Sequence, residues 1–153
     1  MRPAKLSDAG AIAKVLKSGY NLDSLDEAKG VFLSERKRGV RYIVADADGK
    51  IVGLVTWTMH GLPKHGLIEL DRIAVLPEFR GKGVSRQLFG ALIDDARKEY
   101  EKEGKKLRKL YLMTHESNKR AQSFYEKMGM KHEATLKAHF YDKEDERVYG
   151  MFF

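Results

Sequence analysis

One short stretch constrains this chain more than any other. Arg80-Gly81-Lys82-Gly83-Val84-Ser85 lies between a β-rich run and a long amphipathic segment. Upstream, residues 67–76 read as a strand that Pro77 breaks. Downstream, Val84, Leu88, Leu92, Ala96 and Tyr100 step by four with Phe89 and Ile93 beside them, which predicts a helix ending near Gly104. Glycines let the backbone turn tightly and come close to a ligand. A helix N-terminus adds unpaired N–H groups and a partial positive charge, and Arg80, Lys82 and Arg86 add full charges. Strand, glycine turn and helix together make a receptor for phosphate oxygens. The spacing is not that of a Walker loop, and the unit follows an antiparallel hairpin rather than opening a dinucleotide-binding βαβ unit.

The rest of the chain supplies the frame. After a short opening strand, Ser7 is the expected N-cap of a helix that buries Ile12, Val15 and Leu16. A second helix is predicted over 24–38, ended by Gly39. Residues 41–45 and 51–58 read as strands of a hairpin around an Asp48-Gly49 turn. Residues 59–66, with two glycines and a proline, read as a loop. Residues 107–114 read as a strand and 118–128 as a helix. Two final strands, 130–140 and 147–153, flank an acidic turn at 142–146. The order is a strand, two helices, three strands, a helix, a strand, a helix and two strands. It predicts one α/β (α+β) domain over residues 1–153, a mixed sheet with helices on both faces.

Composition excludes several chemistries. With no cysteine, disulfides, thiolate metal sites and cysteine nucleophiles are absent. The five histidines show no i, i+4 pairing, so no metal site is expected. No run of about 18 apolar residues predicts a membrane span, and no leader follows Met1, so the expected location is cytoplasmic. A net charge of +7 points to an acidic partner such as an anionic cofactor, nucleic acid or acidic protein. The basic run Arg97, Lys98, Lys102, Lys105, Lys106, Arg108, Lys109 is the one candidate nucleic-acid footprint. Acidic residues interrupt it and no stacking aromatics interleave, so nucleic acid is not the expected partner.

Residues 70–88 resemble the signature segment of the GNAT N-acetyltransferase superfamily, in which Arg or Gln is followed after two residues by Gly, then one residue, then Gly or Ala. Arg80 and Gly83 match, and Ser85 takes the last small position. Residues 118–130, Asn118-Lys119-Arg120-Ala121-Gln122-Ser123-Phe124-Tyr125-Glu126-Lys127-Met128-Gly129-Met130, resemble the family's other helix. The resemblance implies a central, mostly antiparallel twisted sheet and acetyl-CoA as co-substrate. It implies that Gly81, Lys82, Gly83, Val84 and Ser85, with Arg80 and Arg86, hold the pyrophosphate, and that Ile73, Ala74 and Val75 pair with the pantetheine arm. It assigns Tyr125 as the acid that protonates the departing thiolate, although the same helix face suits a core position. Asn118 either binds pantetheine or caps its helix. Glu69 is the implied general base, with Asp71 or a water chain as competitors.

The resemblance makes the chain an acetyltransferase acting directly on a primary amine in a ternary complex. The tail from His139 to Met151 looks like protein N-terminal acetyltransferases, and residues 69–75 look like polyamine acetyltransferases. A basic chain disfavours polycations unless Glu69, Asp71, Glu116 and Asp142 make the acceptor groove acidic. A protein N-terminal or lysine amine is therefore the expected acceptor and a polyamine or other small-molecule amine the alternative. A non-catalytic acyl-CoA sensor and a nucleic-acid-binding module are alternatives of another class, and a homodimer is compatible with all of them.

Overall fold

The computed structural model describes all 153 residues. Its elements are β1 (Arg2–Pro3), α1 (Ala9–Gly19), α2 (Leu25–Lys37), β2 (Arg41–Ala47), β3 (Lys50–His60), β4 (Leu67–Val75), α3 (Val84–Lys102), β5 (Lys109–His115), α4 (Lys119–Lys127), β6 (Lys131–Tyr141) and β7 (Glu144–Phe152). The strands form one seven-stranded mixed sheet, ordered β1-β2-β3-β4-β5-β7-β6. No helix is long and apolar enough to cross a membrane. The chain divides into two compact units, Met1–Thr58 with Asp71–Lys98 and Met59–Leu70 with Glu99–Phe153.

In the first unit α1 starts later than its sequence suggests. Ser7 is not the N-cap; it lies in a 3-10 turn over Leu6–Asp8, and Asp8 takes the cap position. The cause is distant in sequence. Arg2 holds the Asp8 carboxylate at 2.7 Å, and the same carboxylate accepts the Lys5 N–H. That bond to Arg2 keeps the Asp8 carboxyl below its ordinary range. Ile12, Val15 and Leu16 are buried as their spacing requires, against Phe32, Tyr42, Val44 and Leu54. Helix α2 follows its sequence signals closely. The Ser24 hydroxyl accepts the Glu27 N–H at 3.0 Å, and Gly39 leaves the helix with φ +87°.

The β2–β3 hairpin closes on Asp48 and Gly49, both with positive φ, as a two-residue turn demands. Strand β3 then runs two residues beyond the expected end at Thr58, so Met59 and His60 belong to the sheet. Trp57, fully buried, donates its indole N–H to Asp95 of α3 at 3.0 Å, and Arg41 grips the same carboxylate at 2.8 and 3.0 Å. Glu35 is also buried and accepts from Tyr42 (2.5 Å) and Arg72 (2.6 Å). Burial and that carboxylate push the Tyr42 hydroxyl well above its ordinary range.

In the second unit, the start of β4 pairs in parallel with β5 over three residue pairs, ending at Glu69↔Tyr111. β5 pairs antiparallel with β7, and β7 with β6. Gly66 is required where this pairing begins. Its φ is +58°, and a Cβ there would sit 2.4 Å from the Lys106 carbonyl oxygen. Alternation along β5 turns Leu110, Leu112 and Thr114 to one face and Tyr111, Met113 and His115 to the other. Helix α4 covers the first face: Tyr125 packs on Tyr149, the partner of Leu112, and Tyr149 donates to Glu126 at 3.0 Å. The expected acidic turn over 142–146 shrinks to Asp142 and Lys143, because Glu144 already pairs with Tyr141.

Replacing Asp95 with alanine leaves the buried Trp57 N–H and the Arg41 guanidinium without their acceptor. The expected cost is about 2 kcal/mol of stability, read as a lower urea midpoint with unchanged slope; an unaltered midpoint contradicts it.

Candidate active site

The glycine turn is built as its sequence suggests. After Val75 a 3-10 turn spans Pro77–Phe79, and the Arg80 Nε–H donates back to the Val75 carbonyl at 3.0 Å. Gly81 and Gly83 have φ of +75° and +79°, a region that costs other residues about 1–2 kcal/mol. A Cβ at either would meet nothing within 4 Å, so conformation rather than packing calls for glycine here. The first helical bond of α3 runs from the Gln87 N–H to the Gly83 carbonyl at 3.1 Å, so the amides after Gly83 are those of a helix N-terminus. Residues 80–83 and Arg86 are exposed. The Lys82 ammonium lies 5.2 Å from the Phe79 ring, with that of Lys50 at 5.0 Å. An exposed turn of positive-φ glycines, a helix start and three cations fit a pyrophosphate.

Strand β4 leads into this turn, and side chains occupy two of its backbone positions. The Tyr20 hydroxyl accepts the Ile73 N–H at 2.9 Å and donates to the Ile73 carbonyl at 3.3 Å. Burial pushes that hydroxyl up to about 12. Tyr20 was no sequence candidate, because its partner is 53 residues away. Ala74 and Val75 are buried, and Arg80 covers the Val75 carbonyl as described above. Asp71 is exposed and accepts the Thr58 hydroxyl at 2.8 Å.

The second unit brings together a group of which the sequence disclosed one member. Glu69 Oε2 accepts the Tyr111 hydroxyl at 2.8 Å and lies 2.8 Å from His60 Nε2. The His60 and Tyr111 rings meet edge-on with centroids 5.5 Å apart. All three therefore share the sheet face away from α4. Tyr125 is buried on the other face. Asn118 acts as a helix cap, its Oδ1 accepting the Ala121 N–H at 3.1 Å. Arg147 and Lys119 engage Glu116 and hold its carboxyl down to about 2. Asp142 is exposed at the β6–β7 turn. In the basic run, Lys102 and Lys109 are bound to Glu99 and Glu133, each at 2.6 Å.

A family model described as "Acetyltransferase (GNAT) family" matches residues 12–130. The chain belongs to the GNAT acetyltransferase family. A curated relative, an N-alpha-acetyltransferase of Saccharolobus solfataricus, is 30% identical over 120 residues, covering 72% of this chain and 68% of that protein. Among solved structures, a GNAT-family protein of Desulfovibrio desulfuricans superposes with a TM-score of 0.83 at 23% identity, covering 99% of this chain and 96% of the other. A spermidine N-acetyltransferase mutant from Vibrio cholerae superposes at 0.77 and 23% identity, covering 99% and 91%. The fold is thus the GNAT fold, and the GNAT chain is an acetyl-CoA-dependent N-acetyltransferase.

Gly83→Ala forces a Cβ onto a positive-φ residue in the turn. It should weaken acetyl-CoA binding about tenfold by titration calorimetry while the protein stays folded; undiminished affinity would mean that the turn does not hold the ligand.

Proposed function

We propose that this chain acetylates a protein or peptide amine directly in a ternary complex, with an N-terminal α-amine as the preferred acceptor. One observation carries the reading. A cluster of Glu69, His60 and Tyr111 and a phenol, Tyr125, lie on opposite faces of the same sheet. Amide synthesis from a thioester needs both: a proton must leave the amine, and one must reach the sulfur.

Bound acetyl-CoA supplies the activated acyl group. Amides of residues 81–85, with Arg80, Lys82 and Arg86, hold its pyrophosphate, and the backbone of Ile73–Val75 aligns the pantetheine arm. For this the Tyr20 hydroxyl and the Arg80 guanidinium must yield the Ile73 and Val75 groups they cover. The Asn118 carbonyl is committed to its cap, so its amide nitrogen is the part left to reach the ligand. Glu69 anchors the base that deprotonates the amine. Tyr125 delivers a proton to the departing sulfur; by reference values a phenol is a weaker acid than a thiol, so the step is drawn forward by the second proton of the nitrogen, which restores the phenol. With no cysteine in the chain, direct attack replaces an acyl-enzyme step.

Three things support an α-amine. The Saccharolobus relative is itself an N-alpha-acetyltransferase. The commitment of Glu116 to Arg147 and Lys119 removes one carboxylate from the set a polycation would need. Deprotonation also costs an α-amine only about 1.2 kcal/mol at pH 7, against about 4.6 for lysine.

Coenzyme A release, measured with peptides bearing a free N-terminus, N-blocked lysine peptides and spermidine, tests the reading. The expected result is turnover greatest on free N-termini and at least about tenfold slower in Tyr125→Phe, with acetyl-CoA affinity little changed. Preference for spermidine would refute the acceptor, and full activity in Tyr125→Phe would refute the acid.

A further inference from the structure

We propose that His60 is the group that takes the acceptor's proton, and that Glu69 positions it from behind. The inference rests on the amine-acetylation reading and names the atom that performs its first step. Three strands converge to make the arrangement: β3 through His60, β4 through Glu69 and β5 through Tyr111. It lies where the parallel pairing of β4 with β5 reaches its last pair, Glu69↔Tyr111.

Exposure separates the two roles. The Glu69 side chain is 14% exposed and already accepts the Tyr111 hydroxyl, whereas the His60 side chain is 40% exposed. A carboxylate held inside with an imidazole outside it is the order a base needs, because the outer group meets the substrate and the inner one orients it. The contact runs through Nε2, which fixes the tautomer: Nε2–H donates to Glu69, and Nδ1 keeps its lone pair. The Tyr111 ring braces the imidazole edge-on. Glu69 and Tyr111 are the titratable side chains in contact with His60; Lys64 and His65 follow in the turn at Pro63–His65, where His65 Nδ1 accepts the Leu62 N–H.

The protons balance. The acceptor ammonium gives one proton to His60 Nδ1, and the Glu69 carboxylate stabilises the imidazolium. The freed nitrogen forms the N–C bond as the C–S bond breaks and its electron pair leaves on sulfur. Sulfur takes a proton from Tyr125, which the second proton of the nitrogen replaces. The first proton passes from His60 to water, and the net yield is amide, thiol and one proton.

His115 with Glu146 forms a second imidazole–carboxylate pair on the same face, four residues along β5 and so roughly 13 Å from Tyr111. Its ring packs on Tyr141, and its carbonyl accepts from the Asn118 N–H and the Gln122 side chain at the start of α4. It serves as an internal control.

The test is the pH dependence of kcat/KM on a free-N-terminal peptide. On the acid side the wild-type profile should rise with slope two, one ionisation from the acceptor amine and one from an imidazole. His60→Gln should fall about thirtyfold near neutrality and rise with slope one, with KM for acetyl-CoA unchanged. Free imidazole should restore activity to His60→Ala. Glu69→Gln should keep slope two but lower kcat, because the ring loses the acceptor that orients it. His115→Gln should match the wild type. The proposal is overturned if Glu69→Gln loses the second ionisation while His60→Gln keeps it, or if His115→Gln behaves as described for His60→Gln. Absence of wild-type turnover on any amine would instead overturn the underlying reading, and this assignment with it.

Discussion

Every backbone N–H and C=O taken from water needs a partner, and in this molecule that rule bears hardest on β4. Its parallel register with β5 stops at Glu69. Further along, Ile73 has both backbone groups on the Tyr20 hydroxyl, and Val75 has its carbonyl on Arg80. Side chains thus stand where a strand would. Under the proposed function, a ligand carrying two amides takes over those bonds, and the turn at residues 81–83 receives its phosphates. On the proposed reading, binding of the co-substrate completes an interrupted strand.

The same interruption places the residues that the proposed chemistry uses. Where the β4–β5 pairing ends, Glu69 and Tyr111 are side by side on one face, and β3 contributes His60 because it runs past Thr58. On the opposite face, Tyr125 sits in a helix packed on Tyr149. On the proposed reading, the Glu69 cluster serves the incoming nitrogen and Tyr125 the outgoing sulfur. Tyr125 being buried is compatible with both meanings the sequence left open, since a donor to sulfur must itself be shielded from water.

Legibility in the sequence followed the range of the interactions. Helix α2, with Ser24 and Gly39 at its ends, and the Asp48-Gly49 hairpin rest on contacts a few residues apart, and both were evident. The glycine turn was evident too, because its positive φ values demand specific residues whatever surrounds it. What stayed hidden depends on distant partners. Ser7 gave way to Asp8 because Arg2 captures that carboxylate. Residues 59 and 60 looked like loop beside Gly61 and Pro63, and only sheet pairing keeps them extended. Glu69 could be singled out by its place before the glycine turn, but its neighbours His60 and Tyr111, nine and forty-two residues away, could not. Tyr20 was invisible for the same reason.

Direct transfer is the central claim of the proposal, because a chain without cysteine offers no thiol to carry the acetyl group between acetyl-CoA and the amine. Initial rates measured over a grid of acetyl-CoA and free-N-terminal peptide concentrations test it most directly. Double-reciprocal lines that intersect to the left of the ordinate are the predicted result, as a ternary complex requires. Parallel lines would reveal an acetylated enzyme formed before the amine binds and would contradict the account.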